Sequence, residues 1–174
     1  MFRTTGPERQ ELDFESLYCA NCDAIFGFCF RLCGNRAEAE DLTQEVFVAA
    51  LEGLHRFERR SSPKTWLFRI ALYRYRAHRD RHERKNISIE VAPEPLSRDN
   101  TGSEIWRIAI QEALMKLPRE LREAFVLVKC EGFTCAEAAK VVRVPLGTLK
   151  FRVYRAVKSL QLLLTELPEV SNEL

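Results

Sequence analysis

The sequence predicts an all-α protein: two small helical domains joined by a flexible linker, the C-terminal one a helix-turn-helix. Three observations carry this reading. Apolar residues recur at three- and four-residue steps, the spacing of a buried helix face. Residues 86–102, NISIEVAPEPLSRDNTG, break that pattern with two prolines and a glycine. From Thr134 to Leu160 a short helix, a tight turn and a longer helix rich in Lys and Arg follow one another. The expected boundaries are a front module over 10–85, a linker over 86–102 and a back module over 103–166.

The first helix is expected from about Phe14 to Cys33, where Phe14, Leu17, Tyr18, Cys22, Ile25, Phe26, Cys29, Phe30 and Cys33 form one wide stripe. Gly34 ends it. Asn35 followed by Glu38 is a helix start, with Asn35 capping and Glu38 reaching back. The second helix runs to about Leu54, with Ala39, Leu42, Val46, Phe47, Ala50 and Leu54 inward and Glu38, Asp41, Gln44, Glu45 and Glu52 outward. Phe57 to Ser62 reads as a loop. Ser62 caps and Pro63 opens a third helix. That helix has two non-polar flanks, Leu67, Ile70, Ala71 and Phe68, Leu72, Tyr75, which is more than a single core needs, so one flank is open to a ligand.

The back module is expected to start at Ser103 with a helix to about Lys116. Pro118 opens the next, to Cys130, and Gly132 ends it. Thr134 and Glu137 form a capping-box pattern ahead of a short helix to Val142. The last helix runs from about Leu146 to Leu164. Val142, Leu149, Val153 and Leu160 are its core positions, and Ala139 is small where two helices must cross closely.

Charge is unevenly spread. Residues 1–55 carry four basic and ten acidic side chains, and residues 56–85 carry eleven and three, in a chain of net charge +2. Residues 86–174 balance, yet Lys140 to Thr165 holds six basic residues and no acid. Two basic zones behind an acidic one suit a protein that touches a polyanion at two places and a basic partner at a third. Phe57, Trp66, Phe68, Tyr73 and Tyr75 lie among the cations of the first basic zone. Cations neutralise phosphates and aromatic faces stack on bases, so this segment reads as one that grips and opens DNA; the alternative is a solvated basic helix with core aromatics. In the last helix, Thr148, Lys150, Phe151, Arg152, Tyr154 and Arg155 lie along or beside the exposed side, where Lys and Arg hold phosphates or pair with guanine edges. Phe151 either meets a thymine methyl group there or packs.

Six cysteines invite a metal or redox reading, and Cys19 and Cys22 make a C-x-x-C. Cys22, Cys29 and Cys33 fit the buried stripe of one helix, however, and a straight helix cannot wrap four ligands around one ion. They are read as small hydrophobes, with Cys130 and Cys135 structural beside a turn. His55, His78 and His82 show no ligand spacing with the cysteines. No metal, cofactor or catalytic residue is expected, and the chain is not expected to be an enzyme. The N-terminus lacks the apolar core of a secretory signal and no apolar run approaches membrane-spanning length, which points to the cytoplasm and reduced thiols.

TCAEAAKVVRVPLGTLKFRVYRA, preceded by LMKLPRELREAFVLVKCEGFT, resembles the C-terminal helix-turn-helix of bacterial sigma factors of the extracytoplasmic-function (ECF) group. GNRAEAEDLTQEVFVAAL followed by SSPKTWLFRIA is similar to that group's N-terminal domain. The resemblance covers roughly Phe14 to Leu164. It implies a non-enzymatic factor that binds core RNA polymerase and directs promoter-specific initiation, with the β′ clamp helices and β flap, promoter DNA and a possible anti-sigma factor as partners. Asp41, Gln44 and Glu45 would dock on the clamp helices. Phe57, Arg59, Arg60, Ser61, Ser62, Lys64, Thr65, Trp66, Arg69 and Arg76 would open and hold the −10 element. Arg143, Thr148, Lys150, Phe151, Arg152 and Arg155 would read the −35 element. The chain departs from the group's pattern at Arg59-Arg60, usually Gly-Glu; at Tyr73 and Ala77, usually Asn and Asp; and at Arg143, usually glycine. Two rivals stay open on the residues alone: a stand-alone duplex-binding regulator, and an interaction or redox-sensing module built on the cysteines.

Overall fold

The computed structural model describes residues 13–84 and 102–165. Seven helices follow in order: α1 (Phe14–Cys33), α2 (Arg36–Gly53), α3 (Pro63–Arg84), α4 (Gly102–Lys116), α5 (Arg119–Phe125), α6 (Cys135–Val142) and α7 (Leu146–Thr165). The expected linker falls outside the described residues except for Gly102, which already begins α4. The chain before residue 13 and the acidic tail beyond residue 165 also lie outside them.

The helix ends are where local chemistry puts them. Asp13 accepts the Ser16 N–H at 2.9 Å and starts α1, and Gly34 closes it at φ 76°. A side chain at that φ is strained, and here a Cβ would also meet Met115 Sδ at 2.8 Å. Asn35 accepts the Glu38 N–H at 2.9 Å, but only this half of the expected capping box forms. Ser62 Oγ accepts the Thr65 N–H at 3.1 Å as α3 begins. Before α6 both halves of a box are made: the Glu137 N–H reaches Thr134 Oγ1 at 3.2 Å and the Thr134 N–H reaches Glu137 Oε2 at 2.9 Å. A turn of π-helix over Val126–Cys130 lengthens α5, which nothing in the sequence pattern signals.

Helices α1, α2 and α3 pack as one bundle, and α5, α6 and α7 as a second, with α4 reaching from α7 to α1. The bundles do not stand apart. Their buried side chains form one continuous cluster from Leu17 to Leu160. This accounts for two departures from the expected pattern. Phe28 and Leu32, outside the predicted stripe of α1, have no exposed surface. Both flanks of α3 are buried: Leu67 and Ala71 on one, Phe68, Leu72 and Tyr75 on the other. The flank expected to be open for a ligand is covered by protein, with the Phe68 ring 5.0 Å from both Phe28 and Phe133.

Polar groups finish this seam. The Arg122 guanidinium, almost fully buried, donates to the carbonyls of Leu32, Met115 and Leu117 at 2.6, 2.8 and 3.0 Å. It thereby satisfies the last turn of α1 and the end of α4 together. Arg31 pairs with Glu131 at 2.7 Å, and Arg76 grips Glu123 through two bonds of 3.1 and 2.5 Å. Both carboxylates are buried, with side-chain exposures of 6% and 1%. Burial raises the Glu131 carboxyl pKa above its ordinary value, against the opposing pull of Arg31 and Lys64.

Candidate nucleic-acid interface

The clearest candidate surface is on α7. Leu149, Val153, Ala156 and Leu160 point inward, and Thr148, Lys150, Phe151, Tyr154 and Arg155 are exposed between them. Phe151 does not pack into the core: it is 58% exposed, with the Arg155 guanidinium 5.8 Å from its ring. The turn ahead of α7 is set by Arg143, which caps α6 in the left-handed region at φ 60°, ψ 52°. The Val144 N–H then returns to the Ala139 carbonyl at 3.1 Å. Holding a non-glycine residue there costs about 1 kcal/mol. Arg152 leans back from this surface and meets Glu120 at 2.8 Å.

The basic zone over residues 56–85 is arranged differently. In the loop, Arg59 has φ 54°, Arg60 pairs with Glu58 at 2.6 Å, and Ser61 is half-buried. Phe57 and Trp66 pack with their rings tilted by 35° and their centroids 4.8 Å apart. Ser62 and Thr65 hydroxyls join at 2.9 Å, with Thr65 buried. Arg69 and Arg76 are half-buried against the C-terminal bundle, and Lys64 reaches toward it while remaining exposed. Lys64 Nζ donates to the Glu131 carbonyl at 2.8 Å and lies 4.8 Å from the Phe133 ring. Arg69 lines an open cleft with Lys140, Arg143 and Leu146, and its Nε is buried without a hydrogen-bond partner. Of the aromatics in this zone, Tyr73 is the one standing clear, at 70% exposure; Phe68 and Tyr75 are core.

The acidic face of α2 is the third surface. Asp41, Gln44 and Glu45 line a shallow depression together with Val48 and Arg74. Val48 and Leu51 are each 56% exposed on this helix. Neither fits the inward stripe of α2, and that mismatch is the one signal of them that the sequence carries. The cysteines are all unpaired. Burial raises the Cys29 thiol to about 12 and the Cys33 thiol to about 11, which makes both inert small hydrophobes at neutral pH. Among the described residues no helix is long and apolar enough to cross a membrane.

Comparison with known proteins agrees with this arrangement. Residues 17–85 match the model of sigma-70 region 2, and residues 107–160 match that of sigma-70 region 4. The ECF RNA polymerase sigma factor EcfG of Rhodopseudomonas palustris is 34% identical over 143 residues, covering 81% of this chain and 79% of that protein. The ECF sigma factor SigW of Bacillus subtilis is 29% identical, covering 83% and 85%. Against the SigE factor of Mycolicibacterium smegmatis, 30% identical, the chain spans 65% of the relative's length. Among solved structures, the sigma factor RpoE bound to the anti-sigma factor NepR from Bartonella quintana superimposes with a TM-score of 0.74 at 30% identity, over 88% of this chain and 98% of that one. With a region 2 bundle ahead of a region 4 helix-turn-helix, the chain belongs to the ECF group of the sigma-70 family, non-enzymatic factors that direct RNA polymerase to promoters and initiate transcription.

Proposed function

We propose that this chain works in the cytoplasm as a promoter-specificity subunit whose three surfaces divide the task. The α2 face docks on the β′ clamp helices of core RNA polymerase. Asp41, Gln44 and Glu45 supply charge and polarity, and Val48 and Leu51 supply the apolar contact that a stable interface needs at its centre. The C-terminal bundle sits on the β flap and presents α7 to the −35 duplex. Lys150 and Arg155 hold phosphates while Thr148 and Phe151 meet base edges, with Arg143 and Arg152 at the margin. The loop from Phe57 with the first turns of α3, through Arg59, Arg60, Ser61, Ser62, Lys64, Thr65, Trp66, Arg69 and Arg76, holds the opened −10 strand. Promoter opening has no chemical fuel. Unstacking costs a few kcal/mol per base, and stacking of about 1–3 kcal/mol per base, together with phosphate contacts, offsets it.

The observation that carries this reading is the α7 surface: an exposed cationic face on a helix whose inner side is core and whose approach is set by a complete capping box. A linked feature concerns timing. Arg69 and Arg76 are half-buried against the C-terminal bundle, so the two bundles separate before these two side chains meet DNA in full, while Lys64 is already exposed. The likeness to RpoE, solved with an anti-sigma factor, supports such a factor as a partner that would keep these surfaces from DNA and polymerase.

Run-off transcription with core polymerase across a promoter library tests the proposal. Promoter-dependent transcripts are expected from the natural chain, and Asp41→Lys with Glu45→Lys should abolish them while leaving duplex binding by α7 intact. A chain that never directs polymerase to a start site would overturn the assignment. So would tight, site-specific regulation by the chain in the absence of polymerase.

A further inference from the structure

Three side chains that the promoter reading does not use meet where the start of α2 lies against the second half of α3. Glu38 comes from the first turn of α2; His78 and His82, one turn apart, come from α3. A carboxylate oxygen of Glu38 and one nitrogen from each ring lie within 4.8 Å of one another. The two Nε2 atoms are 3.1 Å apart and the ring centroids 4.3 Å. All three residues are half-buried. Glu38 can turn toward the rings because Asn35 caps α2 alone, through the Glu38 backbone N–H, and the reciprocal side-chain bond is not made.

The chemistry of this donor set is that of a metal site. Two imidazole nitrogens this close cannot both belong to cations. Burial holds the His78 pKa below its ordinary value against the opposing pull of Glu38. On a tetrahedral zinc ion with Zn–N of about 2.0–2.1 Å, two nitrogen ligands sit roughly 3.3 Å apart, close to the separation here. Two His at i and i+4 on one helix with a carboxylate from another element is a donor set that zinc takes readily, and imidazole with carboxylate suits zinc better than calcium or magnesium. We infer that Glu38, His78 and His82 bind a divalent first-row transition ion, Zn²⁺ foremost, which joins the polymerase-docking helix to α3. Three protein ligands leave one position for water or for a side chain of a bound partner. The alternative is a single N–H···N bond between the two rings with Glu38 as a bystander.

The test is calorimetric titration of the chelator-stripped full chain with Zn²⁺ alone, with thermal melts in its presence and absence. One ion per chain is expected, with binding at least tenfold weaker in His82→Gln and in Glu38→Gln, and unchanged in a Cys19→Ser/Cys22→Ser variant. Zinc should raise the melting temperature of the natural chain and not that of His82→Gln. The cobalt form of the natural chain needs no substitution, and its visible spectrum should show tetrahedral nitrogen and oxygen ligation without a thiolate-to-metal band. Absent binding, binding that survives His82→Gln, or a thiolate band lost with the cysteines would each overturn the assignment.

Discussion

The two basic surfaces of this protein are built from similar residues and stand in opposite conditions. On α7 the cations Lys150 and Arg155 are exposed beside an exposed Phe151. On α3 the cations Lys64, Arg69 and Arg76 are turned against the C-terminal bundle, and Arg76 is held by a carboxylate that is almost wholly buried. Composition treats these zones alike. Accessibility separates them: the α7 cations Lys150 and Arg155 are exposed as they stand, whereas Arg69 and Arg76 of α3 are half-buried until the bundles part. On the proposed reading, recognition of a closed duplex and capture of an opened strand fall to surfaces with different thresholds for use.

The strongest way to break this contrast is to dissolve the seam. Arg122→Ala removes one guanidinium and leaves the carbonyls of Leu32, Met115 and Leu117 without their donor. A loss of about 3 kcal/mol or more is expected in urea denaturation, since buried groups left unpaired are costly. Limited proteolysis should show the two bundles separating first.

Glu123→Gln is a gentler probe. It takes the charge from the partner of Arg76, which is about one-third exposed, so screening limits the loss to about 1–2 kcal/mol. Binding of a single-stranded −10 oligonucleotide should rise while −35 duplex binding stays the same. Equal change in both would show that the surfaces do not differ in the way described.

Lys150→Ala addresses α7 alone. If Lys150 holds a phosphate, affinity should fall on every duplex sequence and the log–log salt slope should flatten by about 0.9. An altered base preference at unchanged slope would make it a reader of bases instead. The smallest effect is expected at the turn. Arg143→Gly relieves the left-handed backbone and should stabilise the chain by at most about 1 kcal/mol in thermal melts. A flatter salt slope in the same variant would show that the native Arg is kept for a phosphate contact.

Much of the site was legible in the chain because its signals are short-range. The Thr134–Glu137 box, the Ser62–Pro63 start and the glycines at 34 and 132 are contacts or conformations within about four residues, and they formed where expected. So did the inward and outward faces of α2 and α7, which follow from helical period alone. Other features were not legible. The second apolar flank of α3 looks the same whether it faces DNA or protein. Phe68 meets Phe133, and Arg76 meets Glu123, across 47 intervening steps of sequence in the latter case. Spacing along the chain relates His78 to His82, but their neighbour Glu38 comes from another helix.

The seven α-helices of the described residues, most of their ends and the face that α7 offers to solvent were determined by the sequence itself, through hydrogen bonds and periodicities that close within a turn or two. The tertiary structure alone decided that α3 is covered, that Arg76 and Arg31 are spent on buried carboxylates, and that Glu38 lies beside two imidazoles. Such pairings depend on which surfaces can be brought together and desolvated across the whole chain, and the free energy of burying Phe68, Tyr75 and Arg122 in a shared seam is a property of that assembly rather than of any one segment.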